Sequence, residues 1–305
     1  MARATYAEIE CKSALNRVTN MGFAWSLNPY RGCVHACAYC YARANHTYLG
    51  LNSGNDFETQ LFVKTNFVEK LRQEMARPGW KREEVAVGTA TDPYQPIEGK
   101  YRLTAGIISA LADAATPANI VTKSPLVIRD IDELCRLDER AGVRVCMTIT
   151  TVDEQTWRIM EPGTAPPKQR LRALKLLSEA GIPCGIYLAP ILPRITDSED
   201  SMRATMLAAK AAGAGFVWSS GLRLTPDVRE HYFRTIAAHY PELLDRYERN
   251  YRTAEPPAIY RDHIRERFRR IRAELGFTGD EAKPKSPERL RNREPMVLQL
   301  PLLSA

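Results

Sequence analysis

Three cysteines within eight residues constrain this chain more than any other feature. The segment reads Leu27-Asn-Pro-Tyr-Arg-Gly-Cys33-Val-His-Ala-Cys37-Ala-Tyr-Cys40-Tyr-Ala-Arg. A proline and a glycine ahead of the first cysteine predict a turn, so we expect the thiols on a loop at the C-terminal end of a strand. Ligands bind at that end in α/β folds. Three thiolates on one loop indicate an iron–sulfur centre, in which one iron of a four-iron cubane keeps an open position for a ligand.

Two other interpretations of the same cysteines stay open. Together with His35 or His46 they can form a Cys3His zinc site, although His35 stands only two residues from two of the cysteines. The last two cysteines have the spacing of a thioredoxin-like redox pair. A haem attachment site is excluded, because Tyr41 stands where that motif requires histidine.

Composition narrows the class of protein. The 305 residues are 44% hydrophobic and 26% charged, which excludes a collagen-like, coiled-coil or wholly disordered chain. The 43 basic and 36 acidic residues give a net charge of +7, which permits an anionic partner without requiring one. No secretion signal or membrane-length apolar run is apparent and the cysteine count is odd, so we expect a cytoplasmic protein without a disulfide framework or a membrane partner.

Short apolar runs alternate with amphipathic runs over most of the chain. Strands are predicted at 23–27, 61–64, 85–89, 119–122, 144–149, 183–188 and 215–218, and helices at 66–77, 103–115, 128–141, 167–180 and 198–212. Asn66 and Glu69 predict a capping box at the first helix, and Gly142, Gly181 and Gly213 are expected left-handed C-caps. This rhythm predicts parallel βαβ units, which form either a doubly wound sheet or a barrel.

The pattern changes after about residue 220. Helices are predicted at 226–239 and 261–275, and the second is rich in arginine with one apolar face. Its arginines either bind nucleic acid or pair with nearby acids on a solvated helix. The charged, proline-containing stretch 279–295 is predicted to be a poorly ordered linker, and the apolar stretch 296–303 to fold back on the core. The expected organisation is an N-terminal extension (1–20), a core (21–222) and a C-terminal helical extension (223–305).

The cysteine spacing, with the aromatic Tyr39 before the last cysteine, resembles the signature of the radical S-adenosylmethionine (radical SAM) superfamily. The motif follows the first predicted strand and opens the series of alternating strands and helices. The resemblance extends over that series, about residues 20–220. Tyr41, directly after the last cysteine, and the strand end Thr122-Lys123-Ser124 are similar to the spore photoproduct lyase branch.

The resemblance implies an α/β fold, a partial (β/α)6 TIM barrel of the radical SAM type with a C-terminal helical extension. It implies that Cys33, Cys37 and Cys40 bind a [4Fe-4S] cluster and that S-adenosylmethionine chelates the fourth iron. Reductive cleavage of that cofactor would give a 5′-deoxyadenosyl radical that takes hydrogen from a substrate that the sequence leaves unidentified, with nucleic acid as one class. A low-potential flavodoxin or ferredoxin is the implied electron donor.

The resemblance also implies where S-adenosylmethionine lies. Thr89, Thr91 and Asp92, after the second barrel strand, are expected near the methionine amino group. Lys123 and Ser124 follow the third strand, and a lysine there can pair with the methionine carboxylate as a compact point charge.

Further cofactor contacts are implied along the chain. Thr148 and Thr150 follow the fourth strand and are expected at the ribose or the carboxylate. Arg170, on the helix after Glu161-Pro-Gly-Thr, resembles a carboxylate contact of the family. The ring of Tyr39 is expected on the sugar, and Leu188 in the wall beside the adenine.

The catalytic candidates are Tyr39 and Tyr41, which flank the last cysteine and are expected to take part in radical return. Spore photoproduct lyase uses a cysteine just after the second strand for this step, whereas residues 89–91 here read Thr-Ala-Thr. Repair of thymine dimers is therefore not expected. A polar, proline-stiffened loop follows, and it supplies the candidate substrate contacts Asp92, Tyr94, Gln95 and Glu98.

The alternative function belongs to another class. A zinc-bearing nucleic-acid-binding module without catalysis would carry the same cysteines and the same basic helix. It would bind nucleic acid in a salt-sensitive manner and would hold about one zinc per chain.

Overall fold

The computed structural model describes residues 4–19 and 23–277. The strands of this part are β1 Thr5–Ile9, β2 Asn16–Arg17, β3 Trp25–Leu27, β4 Tyr30–Arg31, β5 Gln60–Lys64, β6 Val85–Val87, β7 Ala118–Thr122, β8 Val143–Thr148, β9 Cys184–Ile191 and β10 Phe216–Gly221. The α-helices are α1 Asn55–Thr59, α2 Phe67–Met75, α3 Glu98–Tyr101, α4 Leu103–Asp113, α5 Ile131–Arg140, α6 Glu154–Met160, α7 Pro167–Glu179, α8 Glu199–Ala211, α9 Pro226–His239, α10 Leu244–Asn250 and α11 Ala258–Glu274. Short 3-10 helices cover Tyr41–Leu49, Pro125–Asp130 and Pro241–Leu243.

The main sheet decides between the two predicted architectures. Its order is β10-β9-β8-β7-β6-β3-β2, so its six parallel strands, β3 and β6 to β10, neighbour one another in chain order. A doubly wound sheet reverses its strand order at a switch point, and this sheet does not. Its edges, β10 and the antiparallel β2, stay unpaired with each other. The fold is therefore a partial (β/α)6 TIM barrel, as predicted.

The predicted strand at 61–64 does not belong to the barrel. As β5 it lies in a separate three-stranded sheet of order β1-β5-β4, parallel to β1 with Thr5 opposite Gln60. A short apolar run does not specify its sheet, because its partner β1 lies more than fifty residues away in the chain.

The helix boundaries confirm most predictions, with one exception at α2. Gly142, Gly181 and Gly213 have φ values of 97°, 76° and 84°, the left-handed conformation expected of C-caps. The side chain of Asn66, however, makes no capping hydrogen bond. Its Oδ1 accepts from the backbone N–H of Cys11 at 2.8 Å, and its Nδ2 donates to the Cys11 carbonyl at 3.2 Å. The predicted capping box is wrong, because the Asn66 side chain hydrogen-bonds to the backbone of the segment that follows β1 instead.

The face of the barrel strands that packs against the surrounding helices is apolar, as expected for a parallel sheet covered by helices. Val85, Ile120, Val145 and Ile186 come from four neighbouring strands, and each is 0% exposed. They belong to one core cluster that continues into the surrounding helices. This packing fixes the strand ends on which the cysteine loop and its neighbours lie.

The arginine-rich helix α11 packs on α8 and β10 through Ile264, Phe268 and Ile271, which confirms the predicted apolar face. The stretches 279–295 and 296–303 lie outside the described residues, so the predictions for them are untested. The division into extension, core and helical extension stays a prediction. In the described ranges 4–19 and 23–277, no helix is both long and apolar enough to cross a membrane.

Most arginines of α11 have partners within the protein. Arg265 pairs with Asp262 at 3.0 Å, and Arg261 pairs with Glu255. Arg270 pairs with Glu199 at 2.5 Å and with Glu274 at 3.1 Å. Arg267 donates to the backbone carbonyl of Asp197. These contacts favour the solvated, acid-paired helix over the nucleic-acid face.

Two isoleucines of α11 provide a matched test of this packing. Ile271 is 0% exposed and Ile259 is 69% exposed. Ile271→Ala should lower the free energy of unfolding by about 2–5 kcal/mol, because it leaves a cavity against the barrel. Ile259→Ala should change it by less than about 0.5 kcal/mol. Denaturant unfolding measures both values, and equal effects would show that α11 does not pack as described.

Candidate active site at the cysteine loop

The cysteine loop, residues 32–40, connects β4 to the 3-10 helix Tyr41–Leu49. Gly32 opens it with a φ of 77°, and a Cβ at this position would lie 2.8 Å from the Phe57 carbonyl oxygen. That carbonyl accepts the N–H of Cys33 at 3.0 Å. The sharp turn and the close backbone approach both require glycine.

The three thiols of this loop are reduced and sheltered. Cys33 and Cys37 are each 6% exposed, Cys40 is half-buried, and none forms a disulfide. Burial raises the pKa of the Cys37 and Cys40 thiols, whereas His35 outweighs burial and lowers the pKa of Cys33. A metal centre bound here would displace the thiol protons, as thiolate ligation requires.

The arrangement fits a cluster better than a single zinc ion. Among residues 4–19 and 23–277, no three His, Cys, Asp or Glu side chains are grouped to hold one metal ion. His46 Nε2 lies 3.0 Å from the Gln60 carbonyl, and His35 Nδ1 lies 3.3 Å from Asp92 Oδ2 without forming a hydrogen bond. The cysteines of a cluster bind different irons, so they need not converge on one point.

The loop at 161–164 packs directly against the cysteine loop. A Cβ on Gly163 would lie 2.1 Å from the Val34 carbonyl oxygen, so only glycine permits this approach. The Gly163 N–H donates to the His35 carbonyl at 3.1 Å, and the Ala38 N–H donates to the Met160 carbonyl at 2.9 Å. The cysteine loop is therefore held in place by the loop that follows α6.

Glu161 is the centre of a buried polar network. Arg170 Nη2 lies 2.5 Å from its Oε2, the Thr150 hydroxyl donates to its Oε1 at 2.9 Å, and the Tyr39 hydroxyl also donates to Oε1. Although burial opposes ionisation, Arg170 and Lys123 lower the pKa of Glu161 to about 2. The carboxylate is thus charged at neutral pH and holds Tyr39 of the cysteine motif against the barrel.

Lys123 lies beside this network at the end of β7. Its Nζ is 5.7 Å from the centroid of the Tyr39 ring, and within the described part of the chain its ammonium donates no hydrogen bond. Although burial opposes it, the neighbouring Cys37 and Glu161 raise the pKa of Lys123. The ammonium is therefore charged and available to an anionic ligand.

The polar side chains of the segment after β6 mainly form hydrogen bonds with other groups of the protein. The hydroxyl of Thr91 donates to the Gly32 carbonyl at 2.7 Å, and Thr89 lies 3.1 Å from the Asn28 amide. The Asp92 carboxylate accepts from the Thr122 hydroxyl and from the Lys123 N–H, each at 2.7 Å. The structure thus places the predicted cofactor residues of this segment beside the cysteine loop, where they connect neighbouring strand ends.

Other predicted cofactor residues lie at the same end of the barrel. The Thr148 carbonyl accepts from Arg170 at 3.0 Å, and the Thr150 hydroxyl oxygen lies 3.1 Å from the Ala189 carbonyl oxygen. The Ser124 hydroxyl caps the 3-10 helix Pro125–Asp130, and Leu188 is wholly buried in the core. Their contacts with a cofactor stay predictions.

The candidate substrate loop is internal. Tyr94, Gln95 and Glu98 are each 0% exposed. The Glu98 carboxylate accepts from Tyr30 and pairs with Arg129 at 2.9 Å, and the Gln95 amide donates to the Gly32 carbonyl at 3.2 Å. This burial contradicts the prediction that these three residues contact substrate. Polarity near prolines suggested an exposed loop, but the Gln95 and Glu98 side chains bind partners that are distant in sequence.

Arg43 was not among the predicted site residues, and its side chain is 0% exposed. Its guanidinium donates to the Cys37 carbonyl at 3.1 Å and to the Gly54 carbonyl at 2.9 Å, and it pairs with Glu58 at 2.9 Å. It fixes the backbone at the second cysteine of the motif. Its position three residues after Cys40 was the available signal, but that position does not distinguish it from a surface arginine.

The family assignment follows from this site and one comparison. The family model described as the Radical SAM superfamily matches residues 27–205, which include all three motif cysteines and more than half of the 305 residues. The chain belongs to the radical SAM superfamily. It is therefore an enzyme of that superfamily, built on the partial barrel described above.

The chain is also similar to a mycobacterial protein, to a phage protein and to a solved structure. An uncharacterized protein of Mycobacterium tuberculosis is 42% identical over 289 residues, which cover 93% of this chain and 84% of the relative. A radical SAM Nalpha-GlyT isomerase of Pseudomonas phage M6 is 24% identical over 177 residues, 56% of this chain and 34% of that protein. The structure of spore photoproduct lyase complexed with dinucleoside spore photoproduct has a TM-score of 0.68 at 16% identity, covering 89% of this chain and 79% of that one. This last likeness shows the fold alone.

The buried pair at Glu161 generates a prediction for stability. Glu161→Gln should lower the free energy of unfolding by about 3–5 kcal/mol at pH 7, because it leaves the Arg170 charge buried without a counterion. The pKa of Glu161 in the folded protein is about 2, below its ordinary value of 4.5. The stabilisation is therefore complete above pH 4.5 and is lost as the pH falls toward 2.

Denaturant unfolding of wild type and variant over a range of acid pH measures this difference. The gap between the two should narrow on acidification, because the protonated carboxyl resembles the amide. Glu154→Gln is the matched control, since Glu154 pairs with Arg158 on the surface and should change stability by at most about 1 kcal/mol. A gap that stays constant or widens as the pH falls would contradict the ion pair.

Proposed function

We propose that the chain holds a [4Fe-4S] cluster through Cys33, Cys37 and Cys40 and cleaves S-adenosylmethionine reductively. The observation that carries the proposal is the sheltered group of three reduced thiols at the carboxyl end of the parallel barrel, with the free ammonium of Lys123 beside it. When bound, the reduced cluster supplies one electron to the sulfonium of S-adenosylmethionine, which gives methionine and a 5′-deoxyadenosyl radical that takes a hydrogen atom from the substrate.

Lys123 is proposed to bind the methionine carboxylate. Arg170 already neutralises Glu161 at 2.5 Å, so the Lys123 ammonium is the cation of this group that is left for a ligand. It lies near Cys37 and Tyr39, which places a carboxylate bound to it next to the cysteine loop. The hydroxyls of Thr148 and Thr150 lie at the adjoining strand end and are proposed as further polar contacts.

The two tyrosines of the motif are proposed to have different roles. The Tyr39 hydroxyl is held by Glu161 and Thr150 within the barrel, which suits a residue that positions the loop. Tyr41 is 54% exposed, and its hydroxyl donates to the Thr89 carbonyl at the rim. Tyr41 is therefore the better candidate for returning hydrogen to a substrate radical, since residues 89–91 offer no thiol.

The substrate class, the electron donor and the location are also proposals. Nucleic acid is the substrate class that the sequence raised, and a low-potential flavodoxin or ferredoxin is the proposed donor. A cytoplasmic location remains a prediction. The zinc-bearing module would need His35 or His46 as its fourth ligand, and in this structure His46 contacts the Gln60 carbonyl while His35 lies beside Asp92.

Metal loading tests the assignment of the cysteines. After anaerobic reconstitution, the wild type should hold about four irons per chain and should release 5′-deoxyadenosine from S-adenosylmethionine with dithionite. Cys37→Ala should lose the iron and this product, because one thiolate ligand is gone. Cys135→Ala is the matched control, since Cys135 lies in α5 outside the cysteine loop, and it should keep both. A wild type that binds one zinc and no iron would refute the proposal.

Cofactor affinity tests Lys123 separately. Lys123→Met should raise the Kd of S-adenosylmethionine by about 10- to 150-fold, since a hydrogen bond to a charged group contributes about 1.5–3 kcal/mol. The variant should still bind iron, because the cysteines are intact. Lys168→Met removes an exposed lysine from α7 and should leave the Kd unchanged. The Kd of S-adenosylmethionine is measured by equilibrium binding to the cluster-loaded proteins. If wild type and Lys123→Met have equal Kd values, Lys123 does not bind the cofactor.

A further inference from the structure

A cavity of about 330 Å³ lies beside the cysteine loop. Its wall includes Gly32, which opens that loop, and Thr89, which follows β6. Among the described residues, Arg31, Lys64 and His46 are the ionisable side chains of the wall apart from tyrosines, and none of these residues that line it is an aspartate or glutamate. A cavity whose fixed charges are all positive favours an anionic ligand.

Lys64 is the strongest indication of such a ligand. Its side chain is buried to 7% exposure, its Nζ donates to the Asn28 carbonyl at 2.7 Å, and it lies 5.4 Å from the centroid of the Phe67 ring. In the described part of the chain, no carboxylate forms an ion pair with it. Burial and the nearby Arg31 lower the pKa of Lys64 to about 8. A buried cation without a counterion is costly, and an anion in the cavity would relieve that cost.

Arg31 and the neutral groups of the wall complete the binding surface. Arg31 is exposed at the end of β4, and its guanidinium makes no hydrogen bond or ion pair with any residue that the structure describes. Asn28 and Asn45 supply amide groups around the same cavity, whereas the Asn16 amide already donates to the Ala14 and Ser26 carbonyls. A guanidinium and an ammonium that converge with amides match the needs of a phosphate group.

An exposed aromatic ring at the rim distinguishes a nucleotide from other phosphates. Tyr48 lies on the 3-10 helix Tyr41–Leu49, lines the cavity and is 87% exposed. An aromatic face beside a cationic groove is the usual arrangement for stacking single-stranded bases.

We propose that this cavity binds a phosphate of a single-stranded nucleic acid substrate, with an adjoining base stacked on Tyr48. The role of this cavity in catalysis rests on the proposed function. The wall of the cavity contains Gly32 of the cysteine loop and Thr89 of the adjoining rim. This cavity is a different surface from the arginine-rich helix α11, in which most guanidinium groups already have partners within the protein.

Binding to cluster-loaded full-length protein tests the proposal. The probe is a short fluorescent oligothymidylate, followed by anisotropy at several salt concentrations. Arg31→Gln and Lys64→Gln should each weaken binding and reduce the salt slope by about 1, as expected for loss of one phosphate contact. The glutamine at position 64 can still donate to the Asn28 carbonyl, which limits structural damage. Arg77→Gln removes an exposed arginine elsewhere and should leave the slope unchanged.

Tyrosine variants and competitors complete the experiment. Tyr48→Ala should weaken binding by about 5- to 150-fold, and Tyr48→Phe should retain it, because stacking needs only the ring. Thymidine 5′-monophosphate should compete better than thymidine or inorganic phosphate. The proposal is overturned if the oligonucleotide does not bind, if Arg31→Gln behaves like Arg77→Gln, or if inorganic phosphate competes as well as the nucleotide.

The same preparations separate this proposal from the proposed function. Iron content and 5′-deoxyadenosine formation without substrate are measured on each batch of wild-type protein. If the wild-type protein holds the cluster and cleaves the cofactor but does not bind the oligonucleotide, only the proposed nucleic-acid subsite is refuted. Absence of iron and of cofactor cleavage refutes the proposed function, whatever the oligonucleotide does.

Discussion

The buried ion pair between Glu161 and Arg170 connects the cysteine loop to the barrel. Arg170 comes from α7 and also donates to the Thr148 carbonyl at the end of β8, while Glu161 accepts from Tyr39 within the cysteine motif. Two buried charges that satisfy each other are strongly coupled, because removal of either leaves the other unpaired. The position of the cysteine loop therefore depends on correct formation of the barrel.

The backbone reinforces this dependence. Gly163 allows the 161–164 loop to approach the Val34 carbonyl, and Arg43 holds the carbonyl of Cys37 from the opposite side of the motif. A loop supported in this way presents its thiols before any metal arrives, so less ordering entropy opposes metal binding. The same rigidity keeps Lys123 and the rim near Thr89 at fixed positions beside the thiols.

Much of the fold could be predicted from the sequence, whereas much of the site could not. The helix–glycine–strand rhythm predicted the six parallel strands, and the C-cap glycines took the expected conformation, because both patterns arise from contacts within a few residues. Asn66, Gln95 and Glu98 were misjudged for the opposite reason. Their side chains bind backbone or side-chain groups that lie elsewhere in the chain, and polarity alone does not distinguish an exposed side chain from a buried one with partners.

The sequence by itself determined the spacing of the three cysteines, their place after the first barrel strand, and the α/β class. Only the tertiary structure decided that β5 pairs with β1 outside the barrel, that Glu161 binds Tyr39, and that Lys64 and Arg31 face one cavity whose described lining residues include no carboxylate. The physical reason is the range of the contacts. Local spacing and periodicity depend on neighbouring residues, whereas charge pairing and burial depend on contacts between segments that are distant in the chain.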